Sequence, residues 1–203
     1  MQRLTELGHR LNFPFVKTSA TLPRLIAMTD DIRGPDPLDL VDQLPVHAGL
    51  LFRHYANPHR NRLARQVAQA CRNRGIFCLV AGDLELAKAS GANGVHLPEF
   101  RLRQQQTKLA IYRARGGVVT SSAHSLRAAL FADRFGVDGL FLSPVFPTES
   151  HPNAVCLGLA RFAAIARPLR CPVFGLGGIN TNTAQRVRLA GAYGIAGIGL
   201  FQS

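Results

Sequence analysis

The sequence lacks any hydrophobic run long enough to cross a membrane. No stretch approaches the roughly 20 consecutive apolar residues that a spanning helix requires. The charged beginning, Met1 to Arg10, is not followed by the apolar segment of a secretory signal. The 203 residues, 47% of them hydrophobic, can bury a core but are few for two independent domains. We therefore expect one cytoplasmic domain without a membrane partner.

Paired cysteines and metal-ligand clusters are also lacking. The four cysteines form no C-x-x-C pair and have no nearby histidine at metal-ligand spacing. Because free cysteine is among the most buried residue types, we interpret all four as reduced core thiols, and a catalytic or metal role stays as the alternative. They are Cys71, Cys78, Cys156 and Cys171.

Acidic residues are few, 12 against 24 lysines and arginines, which gives a formal net charge of +12. Such a charge can bind nucleic acid, because basic side chains neutralise phosphates and release counterions. The arginines, however, recur along most of the predicted helices, a pattern typical of solvated outer faces. We do not expect nucleic acid as a partner, and we interpret the positive field as one that attracts small anionic molecules.

Long linkers are absent, and short apolar runs alternate with amphipathic stretches of about 10 to 15 residues. This alternation predicts repeated βα units and a parallel sheet. Eight runs suit a closed (β/α)8 TIM barrel better than an open sheet. The predicted strands are Leu25–Met28, Gly49–Phe52, Ile76–Val80, Gly94–Leu97, Val118–Thr120, Gly139–Leu142, Val173–Leu176 and Gly194–Ile198.

The two ends of the chain are less regular than this pattern. We divide the sequence into a leader at 1–22, which could form a helix over the bottom of the barrel, and a barrel at 23–203. Only LFQS follows the eighth predicted strand, so the usual eighth helix is predicted to be truncated. The leader or a partner subunit in a homo-oligomer would then cover the exposed sheet.

Two glycine-rich loops follow the seventh and eighth predicted strands. Gly177 and Gly178 come directly after one strand and Gly199 after the other, while Asn180 can cap the next helix. Glycines let backbone N–H groups approach a phosphate, and a helix N-terminus adds its positive dipole. Barrels of this kind often hold phosphate at these two loops. We predict phosphate binding here, and glycines that only make tight turns are the alternative.

Hydroxyl side chains follow the sixth predicted strand. Ser143, Thr148 and Ser150 lie in a loop that Pro144 and Pro147 stiffen. Hydroxyls in a rigid loop at a strand end suit hydrogen bonding to a phosphate or to a ring heteroatom.

Several histidines lie at or beyond strand ends. His124, in TSSAHS, comes after the fifth strand near a helix start. Since imidazole exchanges a proton near neutral pH, His124 is an acid–base candidate, with a backbone-bonded helix-entry residue as the alternative. His96 ends the fourth strand, and we interpret it as a core histidine first and a site residue second. His54 and His59 are interpreted as solvated loop residues, and His151 lies in a third rim loop.

Taken together and in this order, these segments resemble the superfamily of thiamine phosphate synthase and TenI. The resemblance runs from LIAMTDD at 25–31 to the end of the sequence. Its best-matching pieces are GANGVHLPEF, SSAHS, DGLFLSPVFPTES, PVFGLGGIN and GAYGIAGIGLF. The resemblance implies a small barrel whose ligand is a phosphorylated heterocycle, namely a thiazole phosphate.

The chain departs from the synthase motifs in two places. The synthase resemblance implies joining a pyrimidine diphosphate to a thiazole phosphate, with Mg²⁺ neutralising the leaving diphosphate. After the second strand Arg53 matches the family pattern, whereas Leu51 and Tyr55 replace its Gln and Lys. After the third, Ala81 and Gly82 stand where the family has Asn and Asp.

Few groups remain that could replace the missing metal ligands. Asp83 lies one position late, Glu99 is the nearest carboxylate after the fourth strand, and His151 stands where the family has Lys. Since Mg²⁺ prefers oxygen ligands, the synthase reaction is not our first hypothesis, and we expect no resident metal or cofactor. The phosphate half of the site matches better. It comprises Thr148, Ser150, Gly177, Gly178 and Gly199, and Arg53 and Ser143 are further candidates for binding the substrate or its phosphate.

TenI-like members also lack the full metal site, and they resemble this chain in the S-x-H-S and H-L-P motifs. Their activity is a tautomerisation that moves a double bond and aromatises a thiazole carboxylate phosphate. The resemblance implies the same reaction here, with His124 removing and returning the proton. The alternatives are a divergent thiamine phosphate synthase that uses Mg²⁺ with Asp83 or Glu99, and a non-catalytic phosphate-ligand sensor.

Overall fold

The computed structural model of the protein describes residues 22–148 and 154–199. Its eight strands are parallel and form one closed barrel in chain order, in which the last strand pairs with the first, Leu25 opposite Ile195. The predicted (β/α)8 barrel is therefore confirmed. The strands are β1 Leu25–Met28, β2 Gly49–Phe52, β3 Phe77–Ala81, β4 Gly94–Leu97, β5 Val118–Ala123, β6 Gly139–Leu142, β7 Val173–Leu176 and β8 Gly194–Gly197.

Helices lie between consecutive strands, and two of them connect β4 to β5. None of the described helices is long and apolar enough to span a membrane. Residues 1–21 of the predicted leader, and 200–203 where a truncated helix is predicted, lie outside the described residues. The helices are α1 Pro37–Gln43, α2 Arg60–Asn73, α3 Leu84–Ser90, α4 Glu99–Gln104, α5 Gln106–Ala114, α6 Leu126–Phe135, α7 Gly158–Ala166 and α8 Thr181–Leu189.

Three strands have boundaries that differ from the predicted ones. β3 begins at Phe77 because the amide of Ile76 donates to the Cys71 carbonyl, 2.8 Å away, at the end of α2. β5 continues to Ala123, which pairs with Leu142 of β6, so that His124 follows the strand directly. β8 ends one residue early, at Gly197. These shifts bring the acid–base candidate to the rim of the barrel.

The first residue of α6 is exposed although it is hydrophobic. This residue, Leu126, has an exposed fraction of 49%. It is the first residue of the helix, directly after its Ser125 cap, and side chains tilt toward the helix N-terminus, where no earlier turn covers it. Asp133 is buried instead, and it accepts hydrogen bonds from the amides of Arg170 and Cys171, each at 2.9 Å.

Side chains fill the N-terminal half of the barrel interior. The rings of Phe141 and Phe174 lie 5.0 Å apart, and Tyr193 packs edge-on against Phe174 at 5.3 Å. The Tyr193 hydroxyl donates to the Leu22 carbonyl at 2.6 Å, and the Arg24 guanidinium lies 4.0 Å over the Tyr193 ring. Because this end is closed, a cavity can open only at the C-terminal ends of the strands.

The four cysteines are free thiols, as predicted, but they are not all in the core. Cys71, Cys78 and Cys171 are buried, whereas Cys156 is only half-buried. Cys156 lies in the connection between β6 and α7, where its Sγ is 3.6 Å from the Ala154 carbonyl oxygen. Burial, with the nearby Asp133 carboxylate, raises the pKa of Cys171 to about 12, so this thiol stays protonated at neutral pH.

Candidate active site

A cavity of about 940 Å³ opens at the C-terminal ends of the strands. Its floor is apolar, and its volume falls within the range of small-molecule sites. The floor is built by Met28, Leu51, Ala81, Leu176 and Ala196, which come from five different strands. The predicted site residues that line this cavity are Arg53, His96, His124, Ser143, Thr148, Gly177, Gly178 and Gly199.

The His124 ring is oriented by Ser143. Its Nδ1 lies 3.0 Å from the Ser143 carbonyl oxygen and 3.2 Å from the Ser143 hydroxyl. A carbonyl oxygen only accepts hydrogen bonds, so Nδ1 carries the proton and donates it. Neutral imidazole then has its lone pair on Nε2, which has no hydrogen-bond partner among residues 22–148 and 154–199. The arrangement leaves Nε2 available as a base at the cavity.

Unused backbone donors lie in the loops after β7 and β8. The amides of Gly178, Ile179, Ile198 and Gly199 donate to no acceptor in the described part of the chain, and all four residues line the cavity. Consecutive N–H groups of this kind form a concave site that favours anions. These loops therefore offer backbone donors where the sequence predicted phosphate.

The start of α8 contributes less than predicted, because it is already capped. The Asn180 side chain accepts from the amides of Asn182 and Thr183 at 3.0 and 3.1 Å, and the Thr183 hydroxyl accepts from the Asn180 amide at 2.9 Å. This capping box satisfies donors that an anion would otherwise use. The loop amides before the helix, rather than its first turn, remain for the ligand.

Gly178 is held by close packing as well as by its backbone conformation. Its φ is +63°, and a Cβ built there would lie 2.2 Å from the Pro147 carbonyl oxygen. The loop after β6 is joined to the end of β7 by hydrogen bonds from Val145 to Leu176 at 2.9 Å and from Phe146 to Gly177 at 3.1 Å. A glycine is required here because any side chain would separate the two loops.

His96 is buried and also lines the cavity, so it combines the two interpretations that the sequence left open. Its Nδ1 lies 3.0 Å from the Thr120 hydroxyl, and its ring packs against Phe141 at 4.6 Å. Burial, and to a smaller extent the positive charge of Arg53, lowers the pKa of His96 to about 3. The imidazole is therefore uncharged at neutral pH.

The buried His96 should make stability depend on pH. The unfolded chain takes up a proton at His96 near pH 6.5 and the folded chain only near pH 3, so the free energy of unfolding should fall as the pH drops through this window. One group contributes up to about 1.4 kcal/mol per pH unit. Urea unfolding at several pH values between about 4 and 7 should show this slope, and H96N should flatten it. An equal slope in both proteins would contradict the prediction.

The ends of β1 and β2 carry an ion-pair cluster beside the cavity. Asp30 accepts from the Arg33 guanidinium at 3.1 Å and lies 3.6 Å from that of Arg53. Burial alone would raise the pKa of Asp30, but hydrogen bonds from Arg33 and from backbone amides lower it below its usual value. The Thr29 hydroxyl accepts from the Arg53 amide at 2.9 Å, which fixes the base of the Arg53 side chain.

His54, interpreted from the sequence as solvated, is in fact buried. Its Nδ1 lies 2.9 Å from the Thr29 hydroxyl, and its ring stacks on Phe52 at 5.2 Å with the planes 6° apart. The His54 ring lies on the same side of the chain as Phe52, whereas Arg53, between them, lines the cavity. His59 is exposed, as the sequence indicates.

The two carboxylates considered for Mg²⁺ do not line the cavity. Asp83 caps α3 by accepting from the Leu86 amide at 2.9 Å, and Glu99 pairs with Arg103 at 2.9 Å. Over the described ranges, no three His, Cys, Asp or Glu side chains gather as metal ligands. With Asp30 held by two arginines, the described donors do not fit a Mg²⁺ site. We derive no step through a metal.

The structure adds cavity residues that the sequence did not single out. Arg33, Tyr55 and Ser122 line its wall. The sequence indicates Tyr55 only as the residue that replaces the Lys of the synthase motif. In the sequence, these residues share only a position at or near a strand end, and most rim residues have such a position. Ser150 and His151 lie outside the described residues.

A family model, related sequences and a solved structure indicate the same family. The model of the thiamine monophosphate synthase family matches residues 50–201. "Putative thiamine-phosphate synthase 2" of Aquifex aeolicus is 33% identical over 186 residues, which cover 89% of this chain and 98% of that protein. Thiamine-phosphate synthase of Bacillus velezensis is 30% identical over 170 residues, 79% of this chain and 75% of that one. The solved thiamine phosphate pyrophosphorylase of Pyrococcus furiosus superposes with a TM-score of 0.72 at 25% identity, covering 90% and 88% of the two chains.

Proposed function

The chain belongs to the thiamine monophosphate synthase family, and on that premise we propose that it is an enzyme that binds a phosphorylated heterocycle at the barrel mouth. The relatives carry the name of the synthase. The comparisons therefore favour the synthase reaction, our alternative from the sequence, over tautomerisation. The composition of the cavity wall argues for tautomerisation.

One observation carries the proposal of metal-independent proton transfer. The Nδ1 proton of His124 is engaged by Ser143, so Nε2 can act as a base in a cavity whose nearby carboxylates are held by other protein groups. In a tautomerisation Nε2 takes a proton from one ring carbon and the double bond shifts. The imidazolium then returns the proton at the other end of the shifted system. No group leaves, so no diphosphate charge needs compensation.

The phosphate loops supply the positioning for this step. The amides of Gly178 and Gly199, which donate to no acceptor among residues 22–148 and 154–199, would hold the phosphate, and the apolar floor would exclude water from the ring. A ring fixed by its phosphate keeps the reacting carbon beside one catalytic group, which lowers the entropic part of the barrier. The proposed substrate is thus a thiazole carboxylate phosphate.

The synthase is the second candidate, and the names of the relatives support it. It would join a pyrimidine diphosphate to a thiazole phosphate and release diphosphate. Arg33 and Arg53, which line the cavity, are cations that could face such a group. The synthase reaction also needs oxygen ligands for Mg²⁺. The cavity fits this requirement less well, because Asp83 and Glu99 do not line it.

Turnover assays separate the candidates. We expect the protein to aromatise a thiazole carboxylate phosphate tautomer, followed by its ultraviolet spectrum, at the same rate with EDTA and with Mg²⁺. Elemental analysis of chelator-free protein should find no stoichiometric divalent metal. Thiamine phosphate formed only with Mg²⁺ would establish the synthase instead, and binding of thiazole phosphate without either reaction would indicate a sensor.

A further inference from the structure

Tyr55 is an aromatic side chain that stands half exposed in the cavity wall. It follows β2, has an exposed fraction of 56%, and lines the same cavity as His124 and the phosphate loops. Aromatic rings gain most when a flat partner covers them, and cavities for small ligands commonly present such rings. The exposed ring is therefore a surface that a ligand can cover.

The ring of Tyr55 is packed down on the end of β3. Gly82 has a φ of +77°, and a Cβ built on it would lie 3.0 Å from the Tyr55 Cε1 atom. The ring edge thus occupies the space that a side chain at position 82 would need. Because it rests on the backbone, the ring is a fixed part of the wall.

Arg60 holds the same ring from the protein side. Its Nη2 donates to the Ala81 carbonyl at 2.6 Å and its Nε donates to the Arg53 carbonyl at 3.4 Å, which ties together the ends of β2 and β3. Its guanidinium carbon lies 5.3 Å from the centre of the Tyr55 ring, within the range of a cation–π contact. With its protein side occupied, the ring presents its remaining surface to the cavity.

We propose that Tyr55 determines specificity by stacking on the ring of the ligand, and so selects phosphates that carry a flat unsaturated ring over aliphatic ones. The inference rests on the proposed function and names the feature of the substrate that the cavity wall after β2 recognises. The loops bind the phosphate, which any phosphate ester carries, whereas only a flat ring covers Tyr55.

Phe100 provides a matched comparison within the same chain. It is 58% exposed, and the Arg101 guanidinium lies 5.9 Å from its ring, so it shares both the exposure and the cationic neighbour of Tyr55. It does not line the cavity. Its replacement controls for the general effect of removing a surface aromatic.

Calorimetry on Y55L, Y55F and F100L tests the inference with three probes: thiazole phosphate, glycerol phosphate and inorganic phosphate. We expect Y55L to bind thiazole phosphate on the order of tenfold more weakly and both ringless probes unchanged. Y55F keeps the ring and should bind thiazole phosphate within about twofold of wild type. F100L should bind all three as wild type does.

The outcomes distinguish a failure of this inference from a failure of the proposed function on which it rests. Unchanged thiazole phosphate affinity in Y55L, or an equal loss in Y55F, overturns the stacking role. Equal affinity of the wild type for thiazole and glycerol phosphates also overturns it, while leaving the phosphate site in place. A wild type that binds none of the probes contradicts the proposed function and this inference together.

Discussion

Replacing His124 by Asn should lower turnover by roughly 10²- to 10⁴-fold, the usual contribution of a general acid–base group. Asn can still donate to the Ser143 carbonyl, which His124 Nδ1 contacts at 3.0 Å, so the local structure should survive. It cannot accept a proton at neutral pH. The phosphate loops are untouched, so the affinity for thiazole phosphate should stay near that of wild type while the rate of the chemical step falls.

The aromatisation rate, thermal melts and calorimetry, measured together, check this prediction. H47N is the matched control, because His47 is exposed, precedes β2 at the opposite end of the barrel, and has a φ of +69° that Asn tolerates. It should turn over as wild type does. If H124N does so too, His124 is only a structural residue, and His96 becomes the next acid–base candidate.

Replacing Gly178 by Ala should weaken thiazole phosphate binding by about 10- to 100-fold and also lower the melting temperature. The new Cβ would meet the Pro147 carbonyl oxygen at 2.2 Å, so the loops after β6 and β7 must move apart. Misaligned amides lose hydrogen bonds to a charged group, which are worth about 1.5–3 kcal/mol each. The positive φ adds a backbone cost of about 1–2 kcal/mol.

G75A separates these two costs. Gly75 has a φ of +66°, close to that of Gly178, but a Cβ there would have nothing within 4 Å. G75A should therefore lose stability through its backbone alone and keep the wild-type affinity measured by calorimetry. Unaltered affinity in G178A, with the protein folded, would show that the phosphate binds elsewhere.

The candidate site was predictable where position along the chain determines position in space. Parallel strands place all their carboxyl ends on one rim, so residues just beyond apolar runs must meet there. For that reason His124, Gly177 and Gly199 could be grouped from sequence, and the structure brings them to one cavity. The same reasoning overestimated Asp83, because a residue after a strand can equally cap the next helix, as Asp83 caps α3.

Contacts between separate loops could not be predicted from the sequence. The capping box at Asn180 is a local pattern that engages the amides of Asn182 and Thr183. That the loop amides before it donate to no described acceptor depends on where the other loops lie. The burial of His54 against Phe52 and Thr29, and the packing of Tyr55 on Gly82, depend on the side-chain directions that the chain adopts after β2.

The sequence by itself determined the barrel, its strand order and the rim on which the candidate residues lie, because hydrophobic periodicity and parallel topology are properties of the chain read in order. Only the tertiary structure decided which rim residues are available. The Nδ1 proton of His124 is assigned by a carbonyl 19 residues away, and the Asp30 carboxylate lies 3.6 Å from the guanidinium of Arg53, which follows the next strand. Hydrogen bonds of that kind depend on distances across loops, which no pattern along the chain encodes.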